Sequence, residues 1–246
     1  MKVYTLKDLE SFERNEDGYL VCPTGDYTNI SIFTERCIFD DYCSFGECSS
    51  FSEYSSFGKG CSFGHQCSFG ECCSFDEFCT FDEYCSFGER CLFSKRCSFG
   101  KRCSFGEHSE FGEGSTFDNL SSFGERSAFE ECCSFGNDCS FGEWCSFKSN
   151  CSFSKNCTFG ENCNLEDNLR FENLEDTVER VLKIDRIGSY KGCTYFFKTL
   201  NEIYVRCGTF FGTIAEFENI VNEVHKDNEQ YRKEYIQAIK YVKAIM

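Results

Sequence analysis

Proline is nearly absent, with one residue in 246. That excludes a proline-rich disordered chain, and periodic apolar residues argue against disorder of other kinds. No apolar run approaches the ~18 residues of a membrane span. The N-terminal stretch MKVYTLKDLESFERNEDG carries too much charge for a signal peptide. A cytoplasmic location is therefore expected. Thiols stay reduced there, so the 22 Cys read as packing residues rather than disulfides. Histidine is scarce, limited to His65, His108 and His225. No two Cys stand in C-x-x-C spacing, which removes the commonest zinc-thiolate pattern. Basic residues are in deficit: 25 Lys and Arg face 41 Asp and Glu, for a net charge of −16. Residues 175–246 hold 11 acids and 11 bases, so the whole excess lies in residues 1–174. An acidic body of this kind repels nucleic acid and membrane surfaces. A basic protein partner, or a cation, is easier to accommodate.

What is abundant is a repeat. The stretch CSFGERCLFSKRCSFGKRCSFGEH, residues 85–108, is four six-residue units. From Phe33 to Phe159 every sixth residue is Phe, 22 times without an insertion. Tyr27 extends the register backwards, and Leu165 and Phe171 extend it forwards. Each unit reads F-G-E-x-C-S, and FGENCN (159–164) is the cleanest copy. This pattern resembles the hexapeptide-repeat family, with Phe where that family usually has Ile, Leu or Val. The resemblance implies a left-handed parallel β-helix of triangular section, with three hexads in each coil.

Strand geometry supports that reading. Side chains alternate between faces, so Phe and the Cys or Ser two residues earlier point inward together. Three Phe per coil fill a narrow interior, and their inner neighbours must be small. Sixteen Cys occupy this inner column from Cys37 to Cys163, with Ser109, Ser115, Ser121 and Ser127 in the same place. Each buried Phe contributes roughly 1.5–3 kcal/mol before chain entropy is subtracted. Gly60, Gly114, Asn150, Asn156 and Asn162 fall at corners, where a left-handed backbone is expected. About eight coils at ~4.8 Å would make a rod of about 38 Å.

The expected fold is mainly β: a β-helix over 25–174, an N-terminal cap over 1–24 and a small α+β module over 175–246. The cap reads as a short helix near Leu6 to Arg14, followed by YLVC. In the module, VLKIDRI (181–187), CTYFFK (193–198) and EIYVRC (202–207) read as strands, the last two forming a hairpin near Leu200 and Asn201. Thr213 and Glu216 form a capping box that opens a helix with Ile214, Phe217, Val221 and Val224 on one stripe. A second helix after Asp227 carries Tyr231, Tyr235, Ile239 and Val242 on one face. RCGTFFGTIAEFENIV (206–221) is similar to a C-terminal module of uncharacterised phage and prophage proteins. That resemblance implies a phage-derived gene acting in a host bacterial cytoplasm. A module in this place also reads as a cap on the solenoid.

Aligning successive coils of three hexads exposes the strongest surface signal. One edge reads Glu35, Glu53, Glu71, Glu89, Glu107, Glu125, Glu143 and Glu161. The second reads Asp41, Lys59, Glu77, Lys95, Glu113, Glu131, Ser149 and Asp167. The third reads Glu47, His65, Glu83, Lys101, Asn119, Asn137 and Lys155. Stacked carboxylates ~5 Å apart repel by about 0.8 kcal/mol per pair even in water, so stability alone favours interrupting the row. Arg36, Arg90 and Arg126, each one residue after its Glu, are expected to relieve part of that cost. Passive copying of a duplicated coil is the plain alternative.

The Glu edge is the candidate site, a recognition surface for a protein with a basic groove. By analogy with acidic pentapeptide-repeat β-helices that imitate DNA, a phage-encoded inhibitor of a nucleic-acid enzyme or defence complex is expected. The hexapeptide-repeat resemblance also implies an alternative, a homotrimeric acyltransferase with a His base beside an extruded loop. Here no loop is extruded, and His65 and His108 fall at exposed corners. A self-assembling scaffold is the third class, and a homo-oligomer is compatible with all three. No cofactor, metal or catalytic residue is expected. Cys48, Cys72 and Cys132 fall at corners where their thiols can be reached.

Overall fold

The computed structural model describes residues 1–160, 162–166, 168–172, 178–189 and 192–246. The chain divides into two compact units, Met1–Asn164 and Leu165–Met246. The first is a parallel β-solenoid of about eight turns. Its short strands form three parallel sheets. One begins with Leu20–Cys22 and Cys37–Phe39 and runs on through Ser74–Phe75 to Ser146–Phe147. Another runs from Ser44–Phe45 to Ser152–Phe153, and the third from Ile32–Phe33 to Thr158–Phe159. Partners lie three hexads apart: Phe87 is opposite Phe69 on one side and Phe105 on the other.

That register builds the interior. Every Phe from Phe33 to Phe153 in the hexad series is buried, at 5% exposure or less. Phe87 and Phe105 are near-parallel, with centroids 4.8 Å apart and planes at 2°. Phe87 meets Phe93 and Phe99 edge-on, at 5.1 and 5.8 Å with planes near 90°. Each ring thus offers its face along its own column and its edge across the triangle, arrangements that suit the ring quadrupole. The small inner residues also hydrogen-bond. Buried Cys73, Cys91 and Cys145 donate Sγ–H weakly to the carbonyls of Ser52, Gly70 and Gly124, 21 residues earlier, at 3.4–3.5 Å. Ser in the same column bonds within its own coil: Ser109 to the Gly106 carbonyl at 3.1 Å and Ser127 to that of Gly124 at 3.0 Å. Ser49 and Ser55 are buried column members as well.

The corners go beyond the sequence expectation. From Tyr42 to Asn162 the third residue after each Phe of the hexad series has φ near +60°, and Gly or Asn is not required. Tyr42, Arg90, His108 and Trp144 all adopt it, with φ of 57–60°. Left-handed backbone costs a non-Gly residue roughly 1–2 kcal/mol. The geometry turns the corner N–H toward the next coil, where Arg90 donates to the Glu107 carbonyl at 2.8 Å. A net hydrogen bond of about 0.5–1.5 kcal/mol offsets most of that strain. Close coil contact is separately met by Gly after Phe: a Cβ at Gly88 would sit 2.7 Å from the Glu71 nitrogen.

At the N-terminus, the helix (α1) is a single turn, Leu6–Leu9, shorter than the expected Leu6 to Arg14. Arg14 instead bridges antiparallel to Leu20. Tyr4 stacks on Tyr27 at 4.9 Å, and Tyr27 on Phe45 at 5.5 Å, so the aromatic column ends in two tyrosines. The first strand is offset by one residue: Cys22 lies opposite Phe39, and Leu20 opposite Cys37.

The second unit is a small α+β module. Strands Arg180–Asp185, Cys193–Lys198, Ile203–Cys207 and Phe210–Thr213 form an antiparallel sheet in chain order. The fourth strand goes beyond the three that the sequence marks. Helices α2 (Ile214–Val224) and α3 (Glu229–Ile245) pack on the sheet around Phe196, Val205, Ile214, Phe217, Val221, Tyr235, Ile239 and Val242. Val224, placed by periodicity on the apolar stripe, is exposed because α2 ends there and turns at His225. The Thr213–Glu216 capping box is present, with Glu216 accepting from the Thr213 N–H at 2.8 Å. Gly188 docks the first hairpin: its N–H donates to Glu234 at 2.8 Å, and a Cβ there would overlap the Tyr235 ring.

Candidate functional site

The acidic edge lies on the corner that follows the third sheet. Its geometry comes from the backbone. Each corner N–H fixes the carbonyl of the Glu in the next coil: Tyr54 to Glu71, Cys72 to Glu89, Arg90 to Glu107, His108 to Glu125 and Arg126 to Glu143, all at 2.8–2.9 Å. The row is therefore pinned in register at the spacing of the coils. Glu35, Glu53, Glu71, Glu89, Glu107 and Glu143 are exposed, and Glu125 is half-buried. Glu161 lies outside the described residues, as does Asp167 of the second edge.

Charge pairing separates this edge from the others. Only its N-terminal members are neutralised: Arg14 pairs with Glu35, and Arg36 with Glu53 at 3.3 Å. Among the described residues no cation forms an ion pair with Glu71, Glu89, Glu107, Glu125 or Glu143. The expected relief by neighbouring arginines is thus met only at Arg36, which reaches the Glu of the following coil. Arg90 and Arg126 stay exposed and unpaired, since an exposed pair gains too little to hold a long side chain in place.

The second edge pairs Lys59 with Glu77 at 3.6 Å and Lys95 with Glu113 at 3.1 Å. The third pairs Lys101 with Glu83 at 4.0 Å and His65 with Asp82 at 3.0 Å. Asparagines then continue its ladder, Asn119 Oδ1 accepting from the Asn137 N–H at 2.7 Å. A shallow depression beside the second edge gathers Asp76, Glu77, Glu113, Glu130 and Glu131 around Lys95. Reading single columns misses it, because Asp76 and Glu130 stand one residue before the edge column.

The other titratable groups do not converge on the row. The stacked thiols push some members of the inner column up and others down: Cys91 lowers Cys73, Cys157 lowers Cys139 and Cys163 lowers Cys145. The Cys103 thiol raises Cys85 while that of Cys67 lowers it, and with burial the net result is a value pushed up to about 12. Cys73, Cys85, Cys139 and Cys145 are all fully buried, out of reach of a solvent-borne electrophile. Cys48 and Cys132 are exposed and Cys72 is half-buried, each on a different edge. His65 is exposed, His108 is half-buried beside Glu107, and His225 stacks on Tyr235 in the second unit. Among the described residues no group of three His, Cys, Asp or Glu could hold a metal ion. Among them, too, no helix is long and apolar enough to cross a membrane. No protein-family model, curated protein or solved structure matches the chain.

Proposed function

We propose that this protein is a non-catalytic binding solenoid whose acidic edge docks into the basic groove of a nucleic-acid enzyme or defence complex, as an inhibitor. The observation that carries this reading is the contrast between edges. Lys59, Lys95 and Lys101 on the second and third edges pair with a Glu of the adjacent coil, whereas five successive carboxylates on the first stand without a cation. The coils stack at 4.8 Å, as the ring columns do. One carboxylate per coil therefore gives a line charge of the same order as one strand of B-DNA, with a phosphate per ~3.4 Å. A groove lined with Lys and Arg for phosphates meets matching charge there. The uninterrupted period of six supports a solenoid of the left-handed hexapeptide-repeat kind, and the similarity of residues 206–221 to phage modules favours a phage-encoded inhibitor in a bacterial cytoplasm.

The test is affinity capture from a bacterial lysate with duplex DNA as competitor. The quadruple reversal Glu71→Lys, Glu89→Lys, Glu107→Lys and Glu125→Lys is compared with Asp41→Lys, Glu77→Lys, Glu113→Lys and Glu131→Lys on the second edge. Both change the net charge equally. Captured nucleic-acid-binding proteins should be displaced by DNA, lost with the first variant and kept with the second. Identical capture by wild type and the folded first variant sinks the proposal.

A further inference from the structure

The left-handed corners carry several large aromatic side chains, and the adjacent coil sets a cation over three of them. Tyr54 lies under Arg36 at 4.5 Å, and Tyr84 under Arg102 at 5.5 Å. Phe78 lies between Lys59 at 5.0 Å and Arg96 at 5.7 Å. Tyr42 rests against Gly60, whose absent Cβ would come within 2.7 Å of the ring. Trp144 stands apart from those three. It is the sole tryptophan of the chain, 52% exposed, with φ of 60°. Among the described residues no cation lies over its indole and no other ring contacts it. Arg126 occupies the same corner one coil earlier, as Arg36 does beneath Tyr54, yet its guanidinium does not lie over the ring.

The position of this indole matters as much as its exposure. It follows Glu143 directly, on the acidic edge, one coil after Glu125. An aromatic face beside carboxylates binds a cation from two sides, by the ring quadrupole and by charge, and indole is the strongest of the aromatic partners. Tryptophan is also the residue most enriched among those that dominate interface energetics. We infer that Trp144, flanked by Glu125 and Glu143, is the anchor of the acidic edge and receives a guanidinium group from the partner. The inference rests on the proposed role of that edge and adds what the carboxylates lack, a directional contact that selects arginine over diffuse positive charge.

The probe is a synthetic octa-arginine peptide, titrated calorimetrically at low salt, where surface charge is least screened. Circular dichroism first confirms folding of each variant. Trp144→Ala should bind about tenfold more weakly and Trp144→Phe by an intermediate factor, while Tyr84→Ala, on the third edge, should match wild type. Octa-lysine should show a smaller difference between wild type and Trp144→Ala. Equal affinity of wild type and Trp144→Ala for octa-arginine overturns the anchor. If the quadruple Glu-to-Lys variant loses octa-arginine binding in that case, the acidic edge stands without it. If the quadruple variant binds like wild type, the edge itself falls, and the anchor with it.

Discussion

In residues 1–164 a buried ring meets copies of itself, and in residues 165–246 it meets something different on each side. Phe87 stacks on Phe69 and Phe105 at the same 4.8 Å. Phe217 tilts against Phe210 at 5.2 Å and stands edge-on to Tyr235 at 5.6 Å. The first unit is a one-dimensional array in which each coil touches only its neighbours, so stability is close to a sum of coil terms and interfaces. The second is held by particular devices: a capping box on α2, a hairpin docked through Gly188, and an ion pair from Lys243 to Glu218 at 2.6 Å. Repetition therefore separates core from surface in the solenoid, where edges can change while the columns stay fixed. In the module the two are interwoven.

Two reporters follow the units separately. Trp144 lies in the solenoid, while α2 and α3 dominate helical ellipticity. The largest effect is expected from Phe111→Ala, which removes a ring at 1% exposure stacked on Phe93 and Phe129. It should cost about 3–5 kcal/mol, read from Trp144 emission in a urea titration. A cost below about 1 kcal/mol would show that the columns relax freely and that the array picture is wrong.

A smaller, graded effect should come from alkali. An unfolded thiol titrates near pH ~8.5, whereas folded Cys85 is pushed up to about 12. Stability from such groups is complete below pH ~8.5 and is lost as pH rises toward 12, because the unfolded chain releases its protons first. The urea midpoint seen by Trp144 should fall between about pH 8 and pH 10. The ellipticity midpoint should move less, since Cys193 and Cys207 of the module are only half-buried. Parallel shifts in both signals would remove the distinction. The smallest effect is expected from Thr213→Ala, which deletes the cap of α2. It should cost about 1 kcal/mol in the ellipticity transition and leave that of Trp144 in place.

The solenoid was legible because one residue type, Phe, marks a period that strand geometry converts directly into a coil. The inner Cys and Ser followed from volume alone. Their different hydrogen bonds did not, since the choice between a carbonyl of the previous coil and one of the same coil depends on how the coils stack. Corner conformation was legible at Gly60 and Asn150 but not at Tyr42 or Arg90, where a bond to the next coil overrides residue preference. Cys22 in a Phe position was hidden because the first coil is one residue short. In the module, CTYFFK and the capping box announced themselves. Phe210–Thr213 did not, being short and ending in the residue that caps α2. The Glu row was visible once successive coils were aligned. That five of its members lack cations, and that no cation lies over Trp144 beside them, required neighbouring coils to be seen together.

The left-handed corner makes the solenoid a ruler. Its N–H ties each coil to the next whatever side chain it carries, so almost any residue can stand there without changing the graduation. Excising one coil of three hexads would shorten the scale by one division and remove one carboxylate of the row, leaving the remaining marks in line. Length and inscription are thereby set independently, and a lineage could lengthen or shorten the scale to suit its target without redesigning the core.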